Sequence, residues 1–75
     1  IVINTPNNPT GARLSAGDLD AIAAIADRTG AWIVSDEIYR GAEFDGVESP
    51  SMWGRSARVI VTSGLSKAYG LPGLR

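Results

Sequence analysis

The stretch Ser15-Ala16-Gly17-Asp18-Leu19-Asp20-Ala21-Ile22-Ala23-Ala24-Ile25-Ala26-Asp27-Arg28-Thr29-Gly30-Ala31-Trp32-Ile33-Val34-Ser35 decides the fold. Leu19, Ile22, Ala23 and Ala26 fall at i, i+3, i+4 and i+7, the spacing of one buried helical face. The helix runs from about Ala16 to Thr29. Ser15 is its N-cap, with Asp18 three residues on to complete a capping box. Asp18 and Asp20 in the first turns and Arg28 in the last agree with the helix dipole. Gly30 stands where a left-handed C′ residue ends a helix. Ala31 to Ser35 is then a short, mostly apolar strand, with Trp32 inside it and expected in the core. Upstream, Ile1 to Asn4 reads as a short buried strand. It is followed by Thr5-Pro6-Asn7-Asn8-Pro9-Thr10-Gly11, in which two prolines and a glycine leave only turn conformations. Strand, helix and strand at this spacing form a βαβ unit with parallel strands and a right-handed crossover, so the fold class is α/β.

Further along, Gly41 to Gly54 is rich in Gly, Pro and Ser and is expected as a long surface loop with one helical turn at most. Arg58 to Thr62 is a third strand. Ser63 to Pro72 is a loop with room for a helical turn around Lys67-Ala68-Tyr69, and Gly73-Leu74-Arg75 would open a further strand.

The chain has 75 residues, about half of an average domain of roughly 150. It is 44% hydrophobic and 20% charged, an ordinary globular composition. Its net charge of -1 lacks the basic excess of a nucleic-acid-binding surface. No apolar run approaches the roughly 20 residues of a membrane-spanning helix, and neither a nucleic-acid nor a membrane partner is expected. With no cysteine and no histidine, disulfides, ordinary zinc sites and Cys- or His-based nucleophilic chemistry are excluded. Proton transfer falls to carboxylates, tyrosine or the single lysine, Lys67. The chain begins within an apolar run at Ile1 and stops at Arg75 just after a turn. It is expected to be part of a larger domain and marginal alone, since a chain this short buries only about 60% of its unfolded surface.

In an open α/β sheet, ligands bind at the carboxyl ends of the strands. The loop after the first strand carries Asn8. Asp36 comes straight after the second strand, with Tyr39 one turn on. The loop after the third strand carries Ser63, Ser66 and Lys67. If the three strands are parallel neighbours, these groups converge on one edge. A lysine amine can form a Schiff base. An aspartate can keep a ring nitrogen protonated and so make the ring an electron sink. Asn and Tyr are neutral partners for a phenolic oxygen, and hydroxyls with an arginine fork suit a phosphate. Together these are the needs of pyridoxal phosphate.

Asn8-Pro9-Thr10-Gly11, Ser35-Asp36-Glu37-Ile38-Tyr39, and Ser66-Lys67 with Gly70-Leu71-Pro72-Gly73-Leu74-Arg75 resemble, in order and spacing, the class I/II aminotransferases among the fold type I pyridoxal-phosphate enzymes. The resemblance covers nearly the whole chain. It implies a part, residues 1–75, of the mostly parallel-sheet, cofactor-binding large domain, without that domain's N-terminal part or the C-terminal small domain. It implies that Lys67 is the Schiff-base lysine and proton shuttle, and that Asp36 is the partner of the pyridine nitrogen. Asn8 and Tyr39 match contacts to the cofactor's 3′-oxygen, Ser66 a hydroxyl near its phosphate, and Arg75 the phosphate-binding arginine. Relatives often carry a serine three residues before the lysine. Gly64 stands there in this chain, with Ser63 one residue further back as the substitute phosphate contact.

The implied reaction moves an amino group between an amino acid and a 2-oxo acid, in a cytoplasmic homodimer, with these residues inactive in isolation. Same-fold C–S lyases, decarboxylases and synthases are alternatives, as is the aminotransferase-like sensor domain of a transcription regulator. Ser66 before Lys67 excludes a phosphate-loop lysine, which follows a glycine. Glu37 is expected to be structural or solvated, and Arg40 and Arg55 to be surface charges. Trp53 and Phe44 are expected at a domain or subunit boundary.

Overall fold

A computed structural model describes residues 1–74. The elements are β1 (Val2–Asn4), α1 (Ala16–Thr29), β2 (Ile33–Asp36), β3 (Val59–Thr62) and a 3₁₀ turn, Pro72–Leu74. The strands form one sheet in the order β1-β2-β3, all parallel. The register pairs Asn4 with Asp36 and Asp36 with Thr62, so one row of polar residues crosses the carboxyl edge of the sheet.

Both ends of α1 follow from its flanking residues. The Asp18 N–H donates to the Ser15 hydroxyl at 3.1 Å, and the Ser15 N–H donates to the Asp18 carboxylate at 2.9 Å. Hydrogen bonds from the Ser15 backbone and side chain hold the Asp18 carboxyl below the ordinary carboxylate range. At the other end Gly30 adopts φ 76°, a conformation that a side chain would disfavour, and its N–H donates to the Ala26 carbonyl at 2.8 Å.

Leu19, Ala23 and Ala26 of α1 are buried against Ile33, with Ile3, Leu14, Ile22 and Val59 around them. Side chains alternate along a strand, so Ile3, Ile33 and Val59 lie on the α1 side and Val2, Val34 and Ile60 on the other. Among the described residues no helix covers that second face, and Val2 is 79% and Ile60 50% exposed. The expectation of a buried first strand is corrected for this reason. So is the placing of Trp32: the second strand begins at Ile33, and Trp32, one step out of phase with it, is 57% exposed.

The connection from β2 to β3, residues 37–58, contains no helix. It is held instead by one apolar plug and a set of polar ties. Met52 is fully buried in the core beneath α1. Glu37, expected to be structural or solvated, is buried and structural. Its Oε1 accepts the Ser35 hydroxyl at 2.9 Å and the Met52 N–H at 2.8 Å. Arg40 and Arg55 are more than surface charges. The Arg40 Nε donates to the Ser49 carbonyl at 2.8 Å, and Arg55 pairs with Asp20 of α1 at 2.6 Å. The Ser56 hydroxyl donates to Asp27, two turns further along the same face of α1, at 2.6 Å. The expected helical turns in 41–54 and around Lys67 do not form, and Pro72–Leu74 is a 3₁₀ turn where a strand was expected to open. Arg75 lies outside the described residues.

Candidate functional site

Three loops leave the carboxyl ends of the three strands side by side, as the parallel order requires. Asn8 lies on the first. Its Nδ2 donates to the Tyr39 hydroxyl at 3.1 Å, joining two loops that are 31 residues apart in the chain. With its oxygen accepting from Asn8, the Tyr39 O–H keeps its own proton to donate outward.

Asp36 is the last residue of β2 and is half-buried. Its backbone is fixed by the sheet and by the Thr5 N–H, which donates to the Asp36 carbonyl at 3.1 Å. Its Oδ1 accepts the Ile38 N–H at 3.1 Å, which orients the carboxylate at the start of the turn leading to Tyr39. The next residue, Glu37, points to the opposite side of the sheet and anchors the loop there. Two adjacent carboxylates therefore have separate tasks: one locks the connection inside, the other stands at the edge.

Ser63 directly follows β3 and is exposed, Ser66 is half-buried, and Lys67 is exposed. The loop closes on itself through Gly70 N–H to Lys67 C=O at 3.2 Å and Leu71 N–H to Leu65 C=O at 2.9 Å. It lies against the turn that carries Tyr39. A Cβ on Gly41 would stand 3.5 Å from the Ala68 Cβ, and one on Gly64 would stand 3.2 Å from Ile38 Cδ1. The second distance gives glycine a packing reason at the position where serine was the expected residue. The structure thus brings Asn8 and Tyr39 into contact and sets Asp36 and the Lys67 loop beside them. Among the described residues it draws no hydrogen bond between Ser63, Ser66 or Lys67 and that trio.

A cleft of about 380 Å³ opens beside Tyr39, between the Asn7–Gly11 turn and residues 42–45. Arg13 closes its rim by a two-pronged pair with Asp45, at 3.2 and 2.7 Å. That pair, with the Val47 N–H, holds the Asp45 carboxyl below its ordinary range, and the same contact raises Arg13. Burial pushes Glu43 up, but hydrogen bonds from Ser49 and the Gly41 N–H outweigh it and leave the group low.

Sequence reasoning missed Asn4 and Thr5. The Thr5 hydroxyl is buried and accepts the Leu14 N–H at 3.1 Å, closing the base of the Asn-Pro loop. Asn4 bonds to three groups, two in the Asn-Pro loop and one at the end of β2. The available signal was its place, a polar residue ending an apolar strand just before a turn.

The chain matches the family described as Aminotransferase class I and II over residues 1–75. It is 42% identical to aromatic-amino-acid aminotransferase 2 of Thermococcus litoralis and 34% identical to valine–pyruvate aminotransferase of Mycobacterium tuberculosis, covering 100% of this chain and 20% of each relative. Its fold superposes on a PLP-dependent aminotransferase from Streptococcus suis with a TM-score of 0.85 and 42% identity, over 97% of this chain and 19% of that one. The chain thus spans about a fifth of the length of the proteins it matches. Matched from end to end in sequence, and closely in fold, it belongs to the class I and II aminotransferase family.

Proposed function

We propose that these residues form the central part of the cofactor-binding domain of a pyridoxal-phosphate-dependent aminotransferase that exchanges an amino group between an amino acid and a 2-oxo acid. The observation that carries this reading is the Asn8–Tyr39 hydrogen bond at 3.1 Å, at the sheet edge where Asp36 ends β2. Two neutral donors beside one carboxylate fit a ring that bears a phenolic oxygen on one side and a protonated nitrogen on another. The Lys67 loop packed against the same turn supplies the amine.

When bound, pyridoxal phosphate supplies an electron sink for the bonds at the substrate's α-carbon. Lys67 Nζ would hold the cofactor covalently at C4′ and, once released by substrate, carry the proton between the α-carbon and C4′. Asp36 would face the ring nitrogen and favour its protonated form by charge. The second Asn8 N–H and the Tyr39 O–H would donate to the phenolic oxygen. Ser63, Ser66 and Arg75 would receive the phosphate, with Arg75 supplying the fork that such an anion favours. We further assign the enzyme to the cytoplasm as a homodimer, in keeping with its family. The relatives named above differ in the amino acid in their names and share the amino-group transfer, so the substrate is placed here only as an α-amino carboxylate with its 2-oxo counterpart.

The test uses the complete polypeptide carrying these residues, loaded with pyridoxal phosphate. An amino acid should convert the cofactor's visible absorption to that of the pyridoxamine form, and a 2-oxo acid should restore it. Borohydride reduction should fix the cofactor to Lys67 by mass, and Lys67→Ala should abolish both results. Normal turnover by Lys67→Ala would refute the assignment. Release of ammonia or carbon dioxide in place of reversible conversion would move the reaction to the lyases or decarboxylases.

A further inference from the structure

Asn4 is half-buried at the end of β1, in register with Asp36. Its amide is used on both sides. Oδ1 accepts the Asn8 N–H at 3.1 Å and the Asn7 Nδ2 at 3.2 Å, and Nδ2 donates to the Asp36 carbonyl at 3.1 Å. One short side chain therefore ties the backbone of Asn8 to the backbone of Asp36. The Asn8 side chain then reaches Tyr39. Without this amide, the main chain of the Asn7–Gly11 turn keeps only its internal bonds, which close Asn7 on Ala12 and Gly11, and the turn meets the far side only through the Asn8 side chain on Tyr39. The remaining link across the strands at this level is Thr5 N–H to the Asp36 carbonyl, on the strand side of the turn.

We propose that Asn4 is a positioning residue for the cofactor, setting where the Asn8 donor stands relative to the Asp36 carboxylate. This rests on the reading that Asn8 and Asp36 meet the same ring. Asn4 acts through the main chains of those two residues and touches no reacting atom. Alanine removes all three bonds. Aspartate keeps the acceptor for Asn8 and Asn7 but loses the donor and sets an oxygen against the Asp36 carbonyl.

The experiment loads the complete polypeptide with pyridoxal phosphate and titrates its visible absorption band with pH, in the unsubstituted protein, Asn4→Ala, Asn4→Asp, Asn8→Ala and the double variant Asn4→Ala/Asn8→Ala. A donor on the phenolic oxygen draws charge away from the imine proton beside it, so losing that donor moves the midpoint up. One hydrogen bond at this site corresponds to about 0.5–1 pH unit. Asn4→Ala should move the midpoint in the same direction as Asn8→Ala, and the double variant should move no further than Asn8→Ala alone, since the two substitutions remove one contact. Asn4→Asp should fall between the parent and Asn4→Ala. An unshifted midpoint in Asn4→Ala, together with a lowered melting temperature, makes Asn4 a purely structural residue and overturns the proposal. If Asn4→Ala does not fold, the same criterion applies to Asn4→Asp. A cofactor band missing from the unsubstituted protein overturns the cofactor reading itself, and this inference with it.

Discussion

Replacing Glu37 with alanine removes the acceptor from two buried donors at once. The Ser35 hydroxyl and the Met52 N–H both end on Glu37 Oε1, at 2.9 and 2.8 Å, and Ser35 and Met52 are each 0% exposed. Neither donor has water to turn to. A buried polar group left unpaired costs about 1–3 kcal/mol, so the pair sets a range of about 2–6 kcal/mol. Rotation of the serine hydroxyl toward another acceptor would recover part of its share, which places the expected loss at about 2–4 kcal/mol. Against a total stability of about 5–15 kcal/mol for a typical domain, that is a large fraction. The effect should also be local. Met52 is the plug that seats the β2–β3 connection, so its amide should lose protection first. Hydrogen exchange by NMR on the complete polypeptide, with urea unfolding alongside, reads both quantities. Glu37→Gln keeps an oxygen acceptor of the same reach and should lose less than half as much. A loss under about 0.5 kcal/mol in Glu37→Ala, with Met52 amide protection unchanged, would refute the claim that this carboxylate holds the connection.

Two other perturbations probe the same scaffold. Met52→Ala should cost about 2–5 kcal/mol in urea unfolding, the range for emptying a fully buried apolar site, and should leave the Asn8–Tyr39 hydrogen bond in place because the plug lies on the α1 side of the sheet. The Asp45 carboxyl is held low by Arg13, so its contribution is complete above the ordinary carboxylate value of about 4 and is lost as pH falls through its lower folded value. Amide protection in residues 44–48, taken relative to the intrinsic exchange rate at each pH, should therefore be flat from neutral pH down to about 4 and fall only below it, and Arg13→Gln should shrink that acid step to the part held by the Val47 N–H.

The helix was legible to the residue because its signals are local. Ser15, Asp18 and Gly30 act within one turn of the ends they set, and the apolar period needs no partner to be read. The strand directions followed from the length of the connection around α1. Trp32 was misplaced because an apolar strand does not say which of its faces is covered, and its residue type alone pointed inward. The long connection after β2 was read by composition as a surface loop. Its order comes from pairs such as Arg55 with Asp20 and Arg13 with Asp45, more than 30 positions apart, which no short-range pattern announces. At the edge, Asn8, Asp36 and Tyr39 were nameable because their residue types are chemically specific. Asn4 was not, since two of its three partners are backbone groups, of Asn8 and Asp36, that every residue owns.

In this sheet the order in space repeats the order along the chain, β1 then β2 then β3. A growing polypeptide can therefore lay each of these three strands beside the one already in place, and among the described residues none must be threaded between two paired neighbours. The first 39 residues already carry both ends of the Asn8–Tyr39 contact, whereas Lys67 emerges only after β3 has been made. During synthesis the Asn8–Tyr39 contact can be standing before Lys67 arrives, so on the function proposed above the amine would meet an edge whose neutral donors are already placed.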